Sequence, residues 1–170
     1  NTINVGGQSA PTFTDLDNDG DLDLVVGEGG GSIKYYENTG NATHANFTER
    51  TETVNPFNTI DVSYLSAPTF TDLDNDGDFD LVVGEFDGTI MYFENTGNGT
   101  NPSFTERTET VNPFNTIDVS FVSKPTFTDL DNDGDFDLVV GEVQGTIKYF
   151  ENAGSVTNPT FTERTGANPF

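Results

Sequence analysis

A seven-residue motif, Asp-Leu-Asp-Asn-Asp-Gly-Asp, occurs three times in the chain at a constant spacing of 57 residues. Another aspartate follows two residues after each copy. Self-similarity at a fixed period is typical of solenoids, propellers and other repeat arrays. The chain is therefore expected to fold as three copies of one unit. The copies begin, and the following aspartates lie, at these positions: Asp15 and Asp23, Asp72 and Asp80, Asp129 and Asp137.

The repeat divides the 170 residues into predicted units at 1–57, 58–114 and 115–170. Each unit opens with Asn-Thr-Ile and closes with Asn-Pro-Phe, and the second and third units are identical at most positions. Natural repeats usually diverge further and seldom end in phase with the chain. This regularity favours an engineered or trimmed array of repeats.

Short runs of apolar and β-branched residues, separated by turn residues, predict four strands in each unit. In the second strand of unit two, Phe79, Leu81 and Val83 should share one face, with Val82 on the other. The third strand is nearly all apolar, which predicts burial on both faces. The fourth is mostly polar, as an outer edge should be. In unit two the predicted strands cover residues 68–73, 79–83, 89–94 and 103–108.

Four antiparallel strands repeated around an axis describe an all-β fold, a β-propeller with one four-stranded antiparallel blade per unit. Hairpin connections alternate between the two ends of a blade. The aspartate loop and the Asn-Thr-Gly turn should therefore share one end. The Gly-Glu turn and the long connector between units should lie at the opposite end.

The aspartate loop has the chemistry of a calcium site, because Ca²⁺ takes about six to eight oxygen ligands in flexible geometry. In unit one we assign Asp15, Asp17 and Asp19 as side-chain ligands, Asp21 as a backbone-carbonyl donor and Asp23 as the closing carboxylate. Three Ca²⁺ ions per chain are predicted. The equivalent ligands in the other units are Asp72, Asp74, Asp76, Asp78, Asp80, Asp129, Asp131, Asp133, Asp135 and Asp137.

An EF-hand or a magnesium site accounts for the loop less well. An EF-hand needs a glutamate at loop position 12, where this chain has Val26 and its equivalents, and it needs flanking helices. Mg²⁺ is less suited to an all-protein oxygen cage than Ca²⁺. An ordinary Asp-Gly turn is the simplest alternative, but five crowded carboxylates per loop favour a cation. Gly20 should permit the sharp turn and Leu22 should tether the loop to the core.

Charge and composition exclude several classes of protein. The net charge is −23, with six Lys and Arg against 29 acidic residues, so nucleic acid is an unsuitable partner. The chain has no cysteine and therefore neither disulfides nor thiolate metal sites. No apolar stretch approaches the ~20 residues of a membrane span. These features suit an extracellular, secreted or cell-surface segment.

The loop and the strands after it resemble the integrin-like propeller repeat known as FG-GAP or VCBS. The resemblance rests on Phe-Thr-Asp-Leu-Asp-Asn-Asp-Gly-Asp-Phe-Asp-Leu-Val-Val-Gly-Glu, followed by Ile-x-Tyr-Phe-Glu-Asn, and covers essentially the whole chain. It implies that the loop joins the first two strands of a blade and carries Ca²⁺. Relatives include integrin α-subunit heads, propeller lectins and modules of secreted enzymes. Their rings usually carry about six to eight blades, whereas this chain has three repeats.

Ligand-binding candidates outside the loops are few. Glu85 ends the second strand at a turn, where it could meet a ligand or simply be solvated. Tyr64 and Phe121, in the connectors, could stack on a sugar ring or pack between blades. The single histidine, His44, lies in the most variable turn and has no equivalent in the other units. No set of catalytic residues recurs, so no enzyme is expected.

The leading functional hypothesis is a non-enzymatic, calcium-binding propeller scaffold of the extracellular type. The alternative is a lectin or adhesin that binds a glycan or protein ligand between blades, away from the metals. A third possibility is an accessory domain of a polysaccharide-degrading enzyme. Three blades leave two apolar faces bare, so we expect a homodimer that closes a six-bladed ring, with Phe170 of one chain near Asn1 of the other. A nine-bladed trimer and a fragment of a larger propeller are the alternatives.

Overall fold

A computed structural model describes residues 2–166 and 168–170 of the chain. These residues form twelve strands, arranged as three four-stranded antiparallel sheets in chain order, and two single-turn 3₁₀ helices at Glu52–Val54 and Glu109–Val111. The strands are β1 Ala10–Thr14, β2 Asp23–Gly27, β3 Ile33–Asn38, β4 Phe47–Arg50, β5 Ala67–Thr71, β6 Asp80–Gly84, β7 Ile90–Asn95, β8 Phe104–Arg107, β9 Lys124–Thr128, β10 Asp137–Gly141, β11 Ile147–Asn152 and β12 Phe161–Glu163.

Each sheet lies within one sequence repeat, and we name the sheets blade 1 (β1–β4), blade 2 (β5–β8) and blade 3 (β9–β12). The register repeats as well as the order. Thr14 pairs with Asp23 in blade 1, and Thr71 pairs with Asp80 in blade 2. The prediction of an all-β fold with three four-stranded antiparallel blades is confirmed. The predicted joint between Phe170 and Asn1 involves a residue outside the described part of the chain.

The four predicted strands of unit two are all present, with ends shifted by one or two residues. Two details were wrong. Phe79 does not join Leu81 and Val83 in the core, because β6 begins at Asp80 and leaves Phe79 exposed in the loop. Leu22, at the same place in blade 1, is 55% exposed and does not tether the loop. Leu16 does so instead, since its side chain is buried between the blades.

The hydrophobic core lies between the blades. One face of blade 1, containing Val25 and Tyr35, packs against Leu81 and Val83 of blade 2, and the side chain of Phe57 from the connector fills the space between them. The ring centroid of Phe57 lies 5.0 Å from that of Phe104 in blade 2. A second core repeats this arrangement between blades 2 and 3, with Phe114 at its centre. The blades are therefore stacked face to face, as in a propeller.

Close backbone approach explains the glycine at the end of each second strand. A Cβ atom on Gly27 would lie 2.0 Å from the carbonyl oxygen of Ser66 in the next blade. The Ser66 hydroxyl accepts a hydrogen bond of 2.9 Å from the Glu28 N–H and donates one of 2.9 Å to the Ser32 carbonyl. Ser123 and Gly84 repeat this contact between blades 2 and 3. Side chain and backbone thus join one blade to the next.

The two ends of the stack carry different segments. The aspartate loops of blades 1 and 2 line one cleft together with Asn98 of the β7–β8 turn. At the other end, the Gly-Glu turns hydrogen-bond to the connectors, as in the bonds from the Phe86 N–H to the Tyr64 carbonyl and from the Val122 N–H to the Phe86 carbonyl. The metal-ligand candidates and the ligand-binding candidates of the connectors therefore lie at opposite ends.

Candidate metal centres in the aspartate loops

The turn of each loop depends on two residues with positive φ. In blade 1 these are Asn18, with φ of 57°, and Gly20, with φ of 96°. Asparagine and glycine are the residues that adopt this region most readily, because a Cβ atom otherwise crowds the following carbonyl. Asn75 with Gly77 and Asn132 with Gly134 repeat the geometry. The Asn-Asp-Gly sequence therefore determines the shape of the loop.

Backbone N–H groups orient the loop carboxylates. The two oxygens of Asp15 accept hydrogen bonds of 3.1 Å from the N–H groups of Asp19 and Gly20. Oδ1 of Asp19 in turn accepts one of 3.1 Å from the Asp21 N–H. The same bonds hold Asp72 and Asp76 in blade 2. The carboxylates are thus brought together although no cationic side chain neutralises them within the loop.

Three carboxylates in each loop converge closely enough to share one ion. One oxygen from each of Asp15, Asp17 and Asp19 lies within 4.8 Å of the others, and the equivalent groups of blades 2 and 3 meet the same limit. Oxygens bound to one Ca²⁺ at about 2.3–2.6 Å are at most ~5 Å apart. The spacing is therefore compatible with Ca²⁺. The equivalent groups are Asp72, Asp74 and Asp76, and Asp129, Asp131 and Asp133.

The fourth aspartate of each loop has a buried oxygen without a protein partner. Asp21 is 9% exposed, and its Oδ1 atom is buried and accepts no hydrogen bond from the described residues. The same is true of Oδ1 in Asp78 and Asp135. Burial, followed by the charges of Asp19, Asp17 and Asp15, raises the pKa of Asp21. An unpaired buried carboxylate is costly, and a cation is the partner that removes the cost.

The fifth aspartate is held by other elements of the blade. The Asp23 carboxylate accepts hydrogen bonds from the Leu16 N–H at 3.2 Å, the Tyr35 hydroxyl at 3.0 Å and the Asn38 N–H at 2.7 Å. Asp80 has the same three kinds of donor, and burial raises its pKa to about 7 although those hydrogen bonds oppose the rise. This aspartate ties the loop to β3. Its role as a closing metal ligand stays a prediction.

Sequence reasoning did not identify the donors to the fifth aspartate. The recurring signal was available, because a tyrosine and an asparagine follow that aspartate by 12 and 15 residues in every unit. The apolar pattern of the third strand predicts only burial for these tyrosines. The structure shows that the Tyr92 hydroxyl turns toward Asp80 from within the strand.

The candidates at the opposite end are more scattered. Tyr64 is 62% exposed and borders a cavity of about 370 Å³ lined also by Gln8, Leu65 and Phe86. Phe121 is exposed and packs edge-on against Phe86, with ring centroids 6.0 Å apart. These side chains therefore form a partly exposed aromatic strip along the connectors.

The glutamates of the Gly-Glu turns have partners within their own turns. The Glu85 carboxylate accepts a hydrogen bond from the Thr89 hydroxyl. Glu28 and Glu142 accept bonds from backbone N–H groups of their turns, and these bonds are the main cause of the lowered pKa of each carboxyl. Closing the turn is the role that these contacts show.

The face-to-face blades and their loops define a β-propeller-type repeat scaffold. The family model described as FG-GAP-like repeat matches residues 15–83 and 72–140, each match running from one loop into the second strand of the next blade. The chain belongs to this family, whose repeats are of a non-enzymatic scaffold type and are typical of extracellular and surface proteins. No curated protein matches the chain. Within the described residues, no helix is long and apolar enough to span a membrane.

Proposed function

We propose that the protein is a calcium-binding β-propeller scaffold with three Ca²⁺ sites per chain. The observation that carries the proposal is the buried, unpartnered carboxylate oxygen of Asp21, Asp78 and Asp135, found beside three converging carboxylates in every loop. If only one loop contained such an unpaired buried oxygen, it would simply destabilise the fold. Its recurrence at one position in three loops indicates a common requirement for a cation.

The side chains of Asp15, Asp17, Asp19 and Asp21 would hold the ion in blade 1. For Asp21, the buried side-chain oxygen takes the place of the backbone carbonyl that the sequence predicts as the donor. Bound Ca²⁺ supplies positive charge at a point where burial and mutual repulsion otherwise disfavour ionised carboxylates. The loop joins β1 to β2. Neutralising the negative charge of the loop therefore stabilises the β1–β2 hairpin. It also stabilises the end of blade 1 that contacts the loop of blade 2. In this role the ion is structural, and the blades provide a rigid stack for other interactions.

An extracellular location suits these sites. The loops are short and carry ligands mainly from side chains, so affinities of roughly 10⁻⁵–10⁻³ M are expected, as in sensors and extracellular modules. Sites of this affinity are from half to almost fully occupied at millimolar Ca²⁺. The absence of cysteine in the sequence makes folding independent of the redox compartment.

Calorimetric titration and atomic emission test the metal proposal. Three Ca²⁺ ions should bind per chain at millimolar Ca²⁺, and Asp74→Ala should reduce the number to two. Asp87→Ala, which changes an exposed aspartate at the opposite end, is the matched control and should leave three. A stoichiometry of one or zero in the unmodified protein would show that the loops are ordinary turns.

A glycan-binding function is the second candidate, and the aromatic strip of Tyr64, Phe86 and Phe121 favours it. Exposed aromatic rings can stack on the apolar face of a sugar. A glycan array should then show binding that Tyr64→Ala and Phe121→Ala abolish. Phe136→Ala is the control, because Phe136 is an exposed aromatic residue in an aspartate loop at the other end. Absence of binding to every sugar on the array would remove this candidate.

A further inference from the structure

Each outer face of the blade stack is equivalent to one side of the internal junctions between blades. We name them the trailing face, formed by Leu130, Val139, Ile147 and Tyr149 of blade 3, and the leading face, formed by Leu24, Val26 and Tyr36 of blade 1. The leading-face residues are already buried in the single chain, where they pack against Val5 and Phe47. Ile147 on the trailing face is 43% exposed, whereas its equivalents Ile33 and Ile90 are 2% and 3% exposed at the internal junctions. The trailing face is therefore built for burial.

The central aromatic residue of a junction is already in place on the trailing face. Phe57 and Phe114 are fully buried at the internal junctions, but Phe170 is 61% exposed. Its segment is nevertheless held correctly, because the Asn168 side chain donates a hydrogen bond of 3.1 Å to the Ile147 carbonyl, as Asn55 does to Ile33. Phe170 therefore presents an aromatic ring to whatever covers blade 3.

The leading face holds the matching aromatic pair. Phe13 and Phe47 lie 6.2 Å apart with an interplanar angle of 52°. Their equivalents in blade 2, Phe70 and Phe104, lie 6.4 Å apart at 59° and both contact the ring of Phe57. The pair in blade 1 thus has the geometry of a receptor for a phenylalanine. Phe13 is exposed, as expected for a receptor that no internal residue fills.

The glycine–serine contact is also present as two separate halves. A Cβ atom on Gly141 would meet no described atom within 4 Å, in contrast to Gly27 and Gly84. The Glu142 N–H bonds directly to the Thr146 carbonyl at 3.1 Å, where the serine hydroxyl intervenes at the internal junctions. Ser9, the equivalent of Ser66, is exposed on blade 1. Gly141 and Ser9 have complementary roles that a single chain does not bring together.

A backbone hydrogen bond at the end opposite the aspartate loops is also divided between the two outer faces, with the donor on one and the acceptor on the other. At the internal junction the Val122 N–H donates to the Phe86 carbonyl at 2.9 Å, with Val122 at a φ of 51°. Gln8, the equivalent residue in blade 1, has a φ of 59°. Its backbone is therefore already shaped to donate to the carbonyl of Val143, the residue equivalent to Phe86 in blade 3.

We propose that the trailing face of one chain binds the leading face of a second copy, and that two chains close a six-bladed ring. Phe170 would enter between Phe13 and Phe47 of the other copy, while Ser9 of that copy would approach Gly141. A head-to-tail contact of this kind forms a ring when its rotation closes. Two chains contribute six blades, within the range of about four to eight found in propellers. Each ring contains two equivalent joints.

Light scattering and sedimentation test this proposal on the full chain in millimolar Ca²⁺, at concentrations from about 1 μM to about 100 μM. The expected mass is twice the 18.4 kDa of the chain. Gly141→Val should give a monomer, because the added side chain has room in the single chain but would collide with the other copy. Phe170→Ala should raise the dissociation constant of the dimer about tenfold or more. Circular dichroism should show that both variants remain folded.

Thr162→Val is the matched control. Thr162 is exposed on β12, and its equivalent Thr105 is exposed even though blade 2 has neighbours on both sides. This variant should therefore remain a dimer. A strictly monomeric unmodified chain, a trimer or larger polymer, or a dimer that survives both Gly141→Val and Phe170→Ala would each overturn the proposal.

Discussion

Blade 2 and blade 3 have nearly the same sequence but different surroundings. Blade 2 has a neighbour on each face, whereas blade 3 has one. Their aspartate loops are nonetheless alike in their three converging carboxylates and in the buried unpartnered Oδ1 of Asp78 and Asp135, although Oδ1 of Asp129 in blade 3 is unpartnered among the described residues as well. Their faces differ, because Ile90 is buried and Ile147 is exposed. Loop geometry is therefore determined within a repeat, while burial is determined by the next repeat.

Stability therefore has two sources, one within each blade and one at the junctions between blades. Hydrogen bonds within a hairpin, such as those to Asp80 and Asp137, recur in both blades whatever lies beside them. The hydrophobic contribution comes from the junctions, where Phe114 is buried by residues of two blades. The following predictions test whether changes within a repeat have equal effects in both blades and changes at a junction have unequal effects.

Removal of metal should have the largest effect. A ligand that binds only the folded state contributes about 2.7 kcal/mol per site at a hundredfold excess over Kd, so three sites contribute up to roughly 8 kcal/mol in millimolar Ca²⁺ when Kd is about 10⁻⁵ M. Thermal melting should therefore shift far downward in EDTA relative to Ca²⁺. Hydrogen exchange should show that the loops of blades 2 and 3 lose protection together. An unchanged melting temperature in chelator would contradict the metal proposal.

Truncation of the phenylalanine at the end of each connector should have clearly different effects on stability in blades 2 and 3. Phe114→Ala should lower the free energy of unfolding by about 3–5 kcal/mol, because it empties a fully buried site. Phe170→Ala, made in the monomeric Gly141→Val background, should cost under about 0.5 kcal/mol because the ring is exposed there. Chemical denaturation measures both. Equal losses would mean that the trailing face is buried within a single chain.

The metal-free protein should become less stable as pH rises from about 5 to 8. The pKa of Asp80 is raised in the folded state to about 7, mainly by burial, and those of Asp74 and Asp78 are also raised. The folded state therefore binds more protons than the unfolded chain, so this stabilisation is full below the unfolded pKa and lost as pH passes about 7. The loss should reach about 2 kcal/mol.

Denaturation in EDTA across this pH range checks the prediction, and Asp80→Asn should flatten the profile. The carboxyls with lowered pKa, such as Glu28 and Glu94, titrate below this window and do not affect the result. Calcium should reverse the slope, because protons compete with the ion for the same carboxylates. A metal-free protein whose stability rises with pH would contradict the assignment.

Loss of the ion pair on the outer strands should have the smallest effect. Arg107 pairs with Glu94 in blade 2, and Arg164 pairs with Glu151 in blade 3, all partly exposed. Each arginine-to-alanine change should cost under about 1 kcal/mol, since such pairs are screened by solvent. The two costs should be equal because both partners belong to one hairpin. A clearly larger loss in blade 2 would show that its neighbours contribute.

Much of this structure follows from local pattern. The repeat period, the four strands of each unit and the shape of the aspartate loop depend on residues close together in sequence. Asn18 and Gly20 adopt positive φ because of their own side-chain chemistry. Asp15, Asp17 and Asp19 converge because the backbone of that turn orients them. Sequence alone therefore determined the fold class and the position of the candidate metal centres.

Contacts between distant residues were decided only by the tertiary structure. Leu22 and Leu16 are both apolar loop residues, yet only Leu16 is buried, because it joins the core between blades 1 and 2. Ser66, which joins blades 1 and 2, lies 38 residues from its partner, Glu28. Nothing in the neighbouring sequence distinguishes Ser66 from other serines. Pattern specifies which residues are apolar or polar. Which of them are buried depends on the surface that a neighbouring blade provides.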